Sequence, residues 1–249
     1  MLSNPMINQL TAMKLNGMVE ALSEQYADAS MASLSFDERL SLLVDREHRL
    51  RSNRLLQSRL RQAQLHIPNA TLADIDYRDE RKLDKQYIAQ LASGEWLRQH
   101  HNLIVTGATG TGKSYLACAL AHKACMLGLR AQYWKTARLM EYLDVAKADG
   151  RYLTKAKALT RLDLLVLDDW AMIKLQGQHQ QLILDILDDR YQKHSTLVTS
   201  QLPITSWYEQ IQDSTFADAI LDRLLGCSQK IELTGESMRK SMDCYKKEG

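Results

Sequence analysis

Apolar positions recur along this chain at two different periods. Up to about residue 66 they fall at helical spacing. Met6, Leu10, Met13, Val19 and Leu22 form one loose stripe, and Leu40, Leu43, Val44, Leu50 and Leu56 form a second. Gly17 and Pro5 are the only glycine and proline in that stretch, so little in it breaks a helix. Ser35-Phe36-Asp37-Glu38 places a hydroxyl and, three residues on, a carboxylate. That order is a capping box and predicts the start of the longer helix. Ile67-Pro68-Asn69 ends the pattern, and a linker of mixed polarity is expected to about Tyr77.

Beyond the linker, short apolar runs alternate with helical patterns. Strands are predicted at Asn102–Thr106, Arg130–Trp134, Leu164–Leu167, Thr196–Ser200 and Lys230–Leu233. Helices are predicted at Lys113–Leu127, Ala137–Lys147, Gln178–Lys193 and Ala217–Leu225, with two helical segments between Trp134 and Asp163. Short apolar strands joined by crossover helices predict an α/β fold, a parallel five-stranded sheet covered on both faces. The expected organisation is an all-α N-terminal domain at 1–66, a linker at 67–77 and an α/β domain at 78–249.

Composition narrows the class. With 45% hydrophobic and 25% charged residues in 249, the chain reads as an ordinary globular protein. The 32 Lys and Arg against 30 Asp and Glu leave +2, so no global field draws a polyanion and any nucleic-acid contact rests on local clusters. No apolar run approaches the roughly 18 residues of a membrane span. The N-terminus lacks the basic and apolar regions of a secretory signal. A cytoplasmic protein with no membrane partner is expected. Cys118, Cys125, Cys227 and Cys244 form no CxxC pair and are read as free thiols. Cys118, His122 and Cys125 share a helix face, yet no fourth ligand lies near, so that face is read as packing against the sheet.

The chemistry concentrates in Gly107-Ala108-Thr109-Gly110-Thr111-Gly112-Lys113-Ser114, a Walker A loop between a predicted strand and helix. Its glycines let backbone N–H groups cradle phosphate oxygens, and the helix N-terminus adds partial positive charge. Lys113 is expected at the β- and γ-phosphates of ATP and Ser114 on Mg²⁺. Leu164-Leu165-Val166-Leu167 ends in Asp168-Asp169, a Walker B strand. Asp168 is expected to hold Mg²⁺ and Asp169 to polarise the attacking water, which favours hydrolysis over transfer to an acceptor. The next strand ends in Thr199-Ser200-Gln201. Either Ser200 or Gln201 could orient water toward the γ-phosphate, and periodicity does not choose.

Basic residues cluster twice. Arg49, Arg51, Arg54, Arg59 and Arg61 lie between His48 and His66 without an acid among them. Arg151, Lys155, Lys157 and Arg161 form a second acid-free run. Both are candidate surfaces for the DNA backbone rather than for base edges. By spacing alone, Arg223 and Arg239 read as surface ion pairs.

The Walker A loop, Leu-Val-Leu-Asp-Asp-Trp around Asp168, Thr-Ser-Gln-Leu-Pro at 199–203 and Gly-Glu-Ser-Met-Arg-Lys at 235–240 resemble the IstB family. These are AAA+ helper ATPases encoded beside the transposase of bacterial insertion sequences, related to DnaC-type helicase loaders. The resemblance spans essentially the whole chain. It implies Asp169 at the position where AAA+ proteins usually carry the catalytic Glu, Gln201 at sensor 1, Arg223 as an arginine finger acting in trans, and Arg239 in the sensor 2 region. A trans-acting arginine implies a nucleotide-bridged homo-oligomer, ring or helical, and Asp in place of Glu implies slow hydrolysis stimulated by assembly or a partner. Sixteen residues follow Leu233, too few for a three-helix lid, so a truncated or absent lid is expected. The resulting expectation is an ATPase that oligomerises on duplex DNA and regulates a partner transposase. The alternatives are a DnaC-type helicase loader and, more remotely, a P-loop small-molecule kinase.

Overall fold

The computed structural model describes residues 5–77 and 82–238. Arg239 and Cys244 lie outside the described residues. Two compact units divide the chain, Met1–Ser58 and Arg59–Gly249.

The N-terminal region is helical: α1 Pro5–Ala12, α2 Asn16–Ala27, a 3₁₀ turn at Ala29–Ser33, and α3 Phe36–Ala63. The capping box forms. The Ser35 N–H donates to Glu38 Oε2 at 2.8 Å, and the Glu38 N–H donates to Ser35 Oγ at 3.4 Å. Helices α2 and α3 meet at Gly17, where a Cβ would stand 2.7 Å from Glu47 Cα. Glu47 is buried and accepts the N–H groups of Gly17 at 2.7 Å and Met18 at 3.3 Å, capping the first turn of α2 from another helix. Arg51 Nε completes this arrangement at 2.6 Å, and with those N–H groups holds the Glu47 carboxyl below its usual range. Of the two apolar stripes, Leu22 is buried, whereas Met6, Met13, Leu40 and Val44 are exposed. Helical periodicity marks a face without saying that anything covers it.

The second unit contains α4 Lys85–Ala92, α5 Glu95–Arg98, β1 Asn102–Gly107, α6 Lys113–Met126, β2 Ala131–Lys135 and α7 Thr136–Ala148. It continues with α8 Tyr152–Thr160, β3 Leu164–Asp168, α9 Gln178–Arg190, β4 Ser195–Ser200, α10 Ser214–Leu225 and β5 Ser228–Leu233. All five strands are parallel, in the order β2-β3-β4-β1-β5. Alternation divides the sheet between two helical layers. Ile104, Leu165, Leu167 and Val198 join a core with α7 to α10, while α6 covers the opposite face with buried Leu116, Ala117, Ala121 and Ala124. Cys118 and Cys125 are buried on α6, and burial pushes the Cys118 thiol up to about 11. β5 begins two residues earlier than its apolar run, because Ser228 and Gln229 pair with Asn102 and Leu103. Backbone pairing at a sheet edge does not require apolar side chains.

Buried Arg190 at the end of α9 fixes three elements. Its guanidinium donates to the carbonyls of Leu159 at 2.9 Å and Leu162 at 2.7 Å, to Ser195 O, and to Thr196 Oγ1 at 3.2 Å. It thereby ties the end of α8 to the start of β4. Burial lowers its pKa to about 9, so it stays charged at neutral pH. Among the described residues, no helix is long and apolar enough to cross a membrane.

Candidate functional site

With β1 placed between β4 and β5, the loop leaving β1 turns beside the ends of β4 and β3. In an open parallel sheet, such a crevice at the carboxyl ends of the strands is where ligands bind. Gly107–Ser114 occupies it. Lys113 is buried at the start of α6, and its Nζ donates to the carbonyls of Gly107 and Ala108, each at 2.8 Å. Thr111 Oγ1 donates to Ala108 O at 2.9 Å. Gly110 has φ +86°, and a Cβ there would meet Ser237 Oγ at 2.1 Å. The segment after β5 lies against the loop at that point, with the Met238 N–H donating to Gly110 O at 3.0 Å.

Asp168 ends β3 almost fully buried, and three hydroxyls reach its carboxylate. Ser114 Oγ donates at 3.0 Å to Oδ1 and 2.9 Å to Oδ2, Thr199 to Oδ1 and Tyr133 to Oδ2. Two hard oxygen donors from distant positions, Ser114 and Asp168, are thus in contact. Burial and the Asp168 charge push the Tyr133 phenol far above its ordinary range, so it remains a donor. Asp169 leaves the strand at φ +56°, a conformation rare for an L-residue. Its N–H donates to Thr199 Oγ1 at 3.3 Å, and Lys135 Nζ stands 3.8 Å from its Oδ2.

At the end of β4 the geometry separates the two candidates. Ser200 is buried and donates to Trp170 O at 2.8 Å, whereas Gln201 lines the cleft and accepts from Thr109 Oγ1 at 2.5 Å. The cleft encloses about 570 Å³, within the size range of small-molecule sites. Lys113, Ser114, Asp168, Asp169 and Gln201 line it together. So do residues that sequence reasoning passed over: Lys135, Tyr115, His66 at the end of the stretch read as the N-terminal domain and, from the stretch read as a linker, Ile67, Asp74 and Asp76. That stretch is packed, with Ala70 and Ile75 buried and the Thr71 N–H donating to Tyr115 Oη at 3.3 Å. Its apolar positions are too few to show a period. Tyr133 carried a fainter signal, a polar aromatic at the buried alternate position of a strand.

The remaining candidates lie elsewhere. Arg223 on α10 is not among the residues lining the cleft. Its Nε bonds Asp188 Oδ1 at 2.6 Å and its Nη1 bonds Asp222 Oδ2 at 3.2 Å. Arg51 and Arg151 are each paired with an acid just outside the acid-free runs, Glu47 and Asp149. Arg49 Nε donates to Asp45 O at 3.3 Å, and Lys155 Nζ lies 5.6 Å from the centre of the Tyr142 ring. Arg54, Arg61, Lys157 and Arg161 are exposed, and Arg59 is half-buried.

Known proteins resemble this chain in fold and in sequence. A crystal structure of the DnaC helicase loader superposes with a TM-score of 0.55 at 20% identity, over 67% of this chain and 97% of that one. AMPPCP-bound DnaA from Aquifex aeolicus gives 0.59 at 20% identity, over 75% of this chain and 57% of that one. These likenesses are of fold, that of the AAA+ P-loop proteins. An insertion sequence ATP-binding protein of Sinorhizobium fredii, y4pL, is 44% identical over 97% of this chain and 98% of its own length. The IS21 ATP-binding protein of Pseudomonas aeruginosa is 32% identical over 94% of this chain and 87% of its own. The model of the IstB-like ATP binding protein family matches residues 8–245, which takes in both the helical N-terminal region and the P-loop sheet. With loop, Walker B strand and fold in agreement, this chain belongs to that family of insertion-sequence ATP-binding proteins.

Proposed function

We propose that this protein hydrolyses ATP, assembles on duplex DNA in a nucleotide-gated way, and regulates the transposase of its insertion sequence. The observation that carries the ATP reading is the contact of Ser114 with Asp168, 54 positions apart, in the cleft that Lys113, Asp169 and Gln201 also line. A hydroxyl and a carboxylate are the hard donors Mg²⁺ takes from protein, its other positions going to water and phosphate oxygens. Among the described residues no group of three or more His, Cys, Asp or Glu offers a softer ion a site. When bound, Mg²⁺ would offset charge on the β- and γ-phosphates. Lys113 and the amides of the loop hold the phosphates, and the wall at His66 and Ile67 receives the base. Asp169 and Gln201 orient the attacking water. The short Asp169 side chain makes turnover slow until assembly or a partner adjusts it.

Arg223, which is outside the cleft of its own chain, acts on ATP held by a neighbouring subunit. The exposed Arg54, Arg61, Lys157 and Arg161 follow the phosphate backbone of duplex DNA, with the protein working in the cytoplasm and on the nucleoid. Membership in a family of insertion-sequence proteins supports the link to transposition. The likeness to DnaC is one of fold and lends the loader reading no separate support. The test is anisotropy of a labelled duplex titrated with protein, with and without a non-hydrolysable ATP analogue. Cooperative, salt-sensitive binding that needs the analogue is expected; binding indifferent to it would overturn the gating.

A further inference from the structure

Asp168 is gripped from both flanking strands. Thr199 on β4 donates to its Oδ1 and Tyr133 on β2 to its Oδ2, while Ser114 reaches both oxygens from α6. Were Ser114 to turn its oxygen to a metal ion, Thr199 and Tyr133 would remain as the donors, one on each carboxylate oxygen. The Tyr133 ring is buried, and the His66 ring stacks on it, centroids 5.9 Å apart and planes 13° from parallel. His66 also lines the cleft. A phenol buried beside a carboxylate is more than filler, because phenylalanine would supply the same ring without the polar atom.

We propose that Tyr133 is a positioning residue for the metal-binding carboxylate: its hydroxyl fixes the orientation of Asp168 toward Ser114, and His66 buttresses it from the cleft wall. This rests on the ATP–Mg²⁺ reading above. The hydroxyl sets the carboxylate plane before the ion arrives, so metal affinity rather than nucleotide affinity depends on it. Outer-shell partners of this kind typically change metal affinity by about 10–100-fold when removed. His66 links that setting to the segment that follows α3, so the ion site responds to the wall that would receive the base.

The experiment follows binding of a fluorescent, non-hydrolysable ATP analogue to the full chain while Mg²⁺ is titrated. Tyr133→Phe should raise the Mg²⁺ midpoint about 10-fold with metal-free analogue affinity nearly unchanged, the lost hydrogen bond to Asp168 lowering the thermal midpoint modestly. His66→Ala, which keeps the hydroxyl and removes its buttress, should raise the midpoint by a smaller factor. Thr199→Val, close in shape, tests the other side of the grip independently should Tyr133→Phe fold poorly. An unchanged Mg²⁺ midpoint in Tyr133→Phe overturns the proposal, and an unchanged one in His66→Ala overturns the role of the stack. A wild-type protein that binds analogue without any Mg²⁺ dependence removes the reading on which both stand, and is recognised before any variant is compared.

Discussion

Lys135 at the end of β2 holds its ammonium 3.8 Å from the carboxylate of Asp169, the residue just past the end of β3. The pair is partly exposed, so it is worth at most about 1 kcal/mol. That is still enough to bias a carboxylate whose proposed role is to turn toward the attacking water. Lys135→Ala should therefore raise basal ATP turnover at saturating nucleotide by a factor of about two to five. Equal or slower turnover would show that the ion pair does not restrain Asp169.

Asp169→Asn keeps the size of the side chain and removes the carboxylate proposed to orient the attacking water. Turnover should fall by about 100-fold or more while nucleotide binding persists. Steady-state phosphate release, measured beside analogue binding, checks it; unchanged release would remove Asp169 from the reaction.

Lys113 donates to two loop carbonyls and lies inside the cleft, so Lys113→Ala should abolish nucleotide binding. Wild-type protein at about 100 times the Kd gains about 2.7 kcal/mol of stability from its ligand, a rise in Tm that the variant should lack. A ligand-induced rise of the same size in both proteins would contradict the assignment.

Arg190→Met removes the donor shared by the carbonyls of Leu159, Leu162 and Ser195, of which Leu159 O keeps the Leu162 N–H at 3.3 Å while the other two lose the guanidinium. Each unmet group costs about 1–3 kcal/mol, so destabilisation of about 3–5 kcal/mol is expected by urea unfolding. A loss under about 1 kcal/mol would mean that water or rearrangement replaces those bonds.

Arg54 is exposed, whereas Arg51 is committed to Glu47, which caps α2. Arg54→Ala should lower the slope of log affinity against log salt for duplex DNA by about 0.9. Arg51→Ala should change that slope less and lower thermal stability more. Equal slopes for wild type and Arg54→Ala would take Arg54 off the DNA surface.

Much of the cleft's lining was legible because the motifs that supply it are local. The spacing from Gly107 to Ser114 and the run ending in Asp168-Asp169 state their roles wherever they fold into strand, loop and helix. Strand and helix positions were likewise readable from period, since alternation and 3.6-residue recurrence are properties of a single element. The segment 66–76 was not. Its contacts with the cleft come from packing against β2 at His66 and α6 at Thr71, so the last residue of the helical pattern and the polar, aperiodic linker after it become a wall.

The sequence by itself determined which residues carry charge and hydroxyls, which strands are apolar enough to bury, and where the phosphate-binding loop must turn. Tertiary structure decided what those groups meet. The order β2-β3-β4-β1-β5 sets Asp168 between Tyr133 and Thr199 and sets Ser114 against it. It also separates Gln201 from Ser200 by turning one to the cleft and the other into the core. Sequence spacing constrains neighbours along one strand or helix, whereas a carboxylate's partners come from strands joined through the sheet, whose order no local pattern encodes.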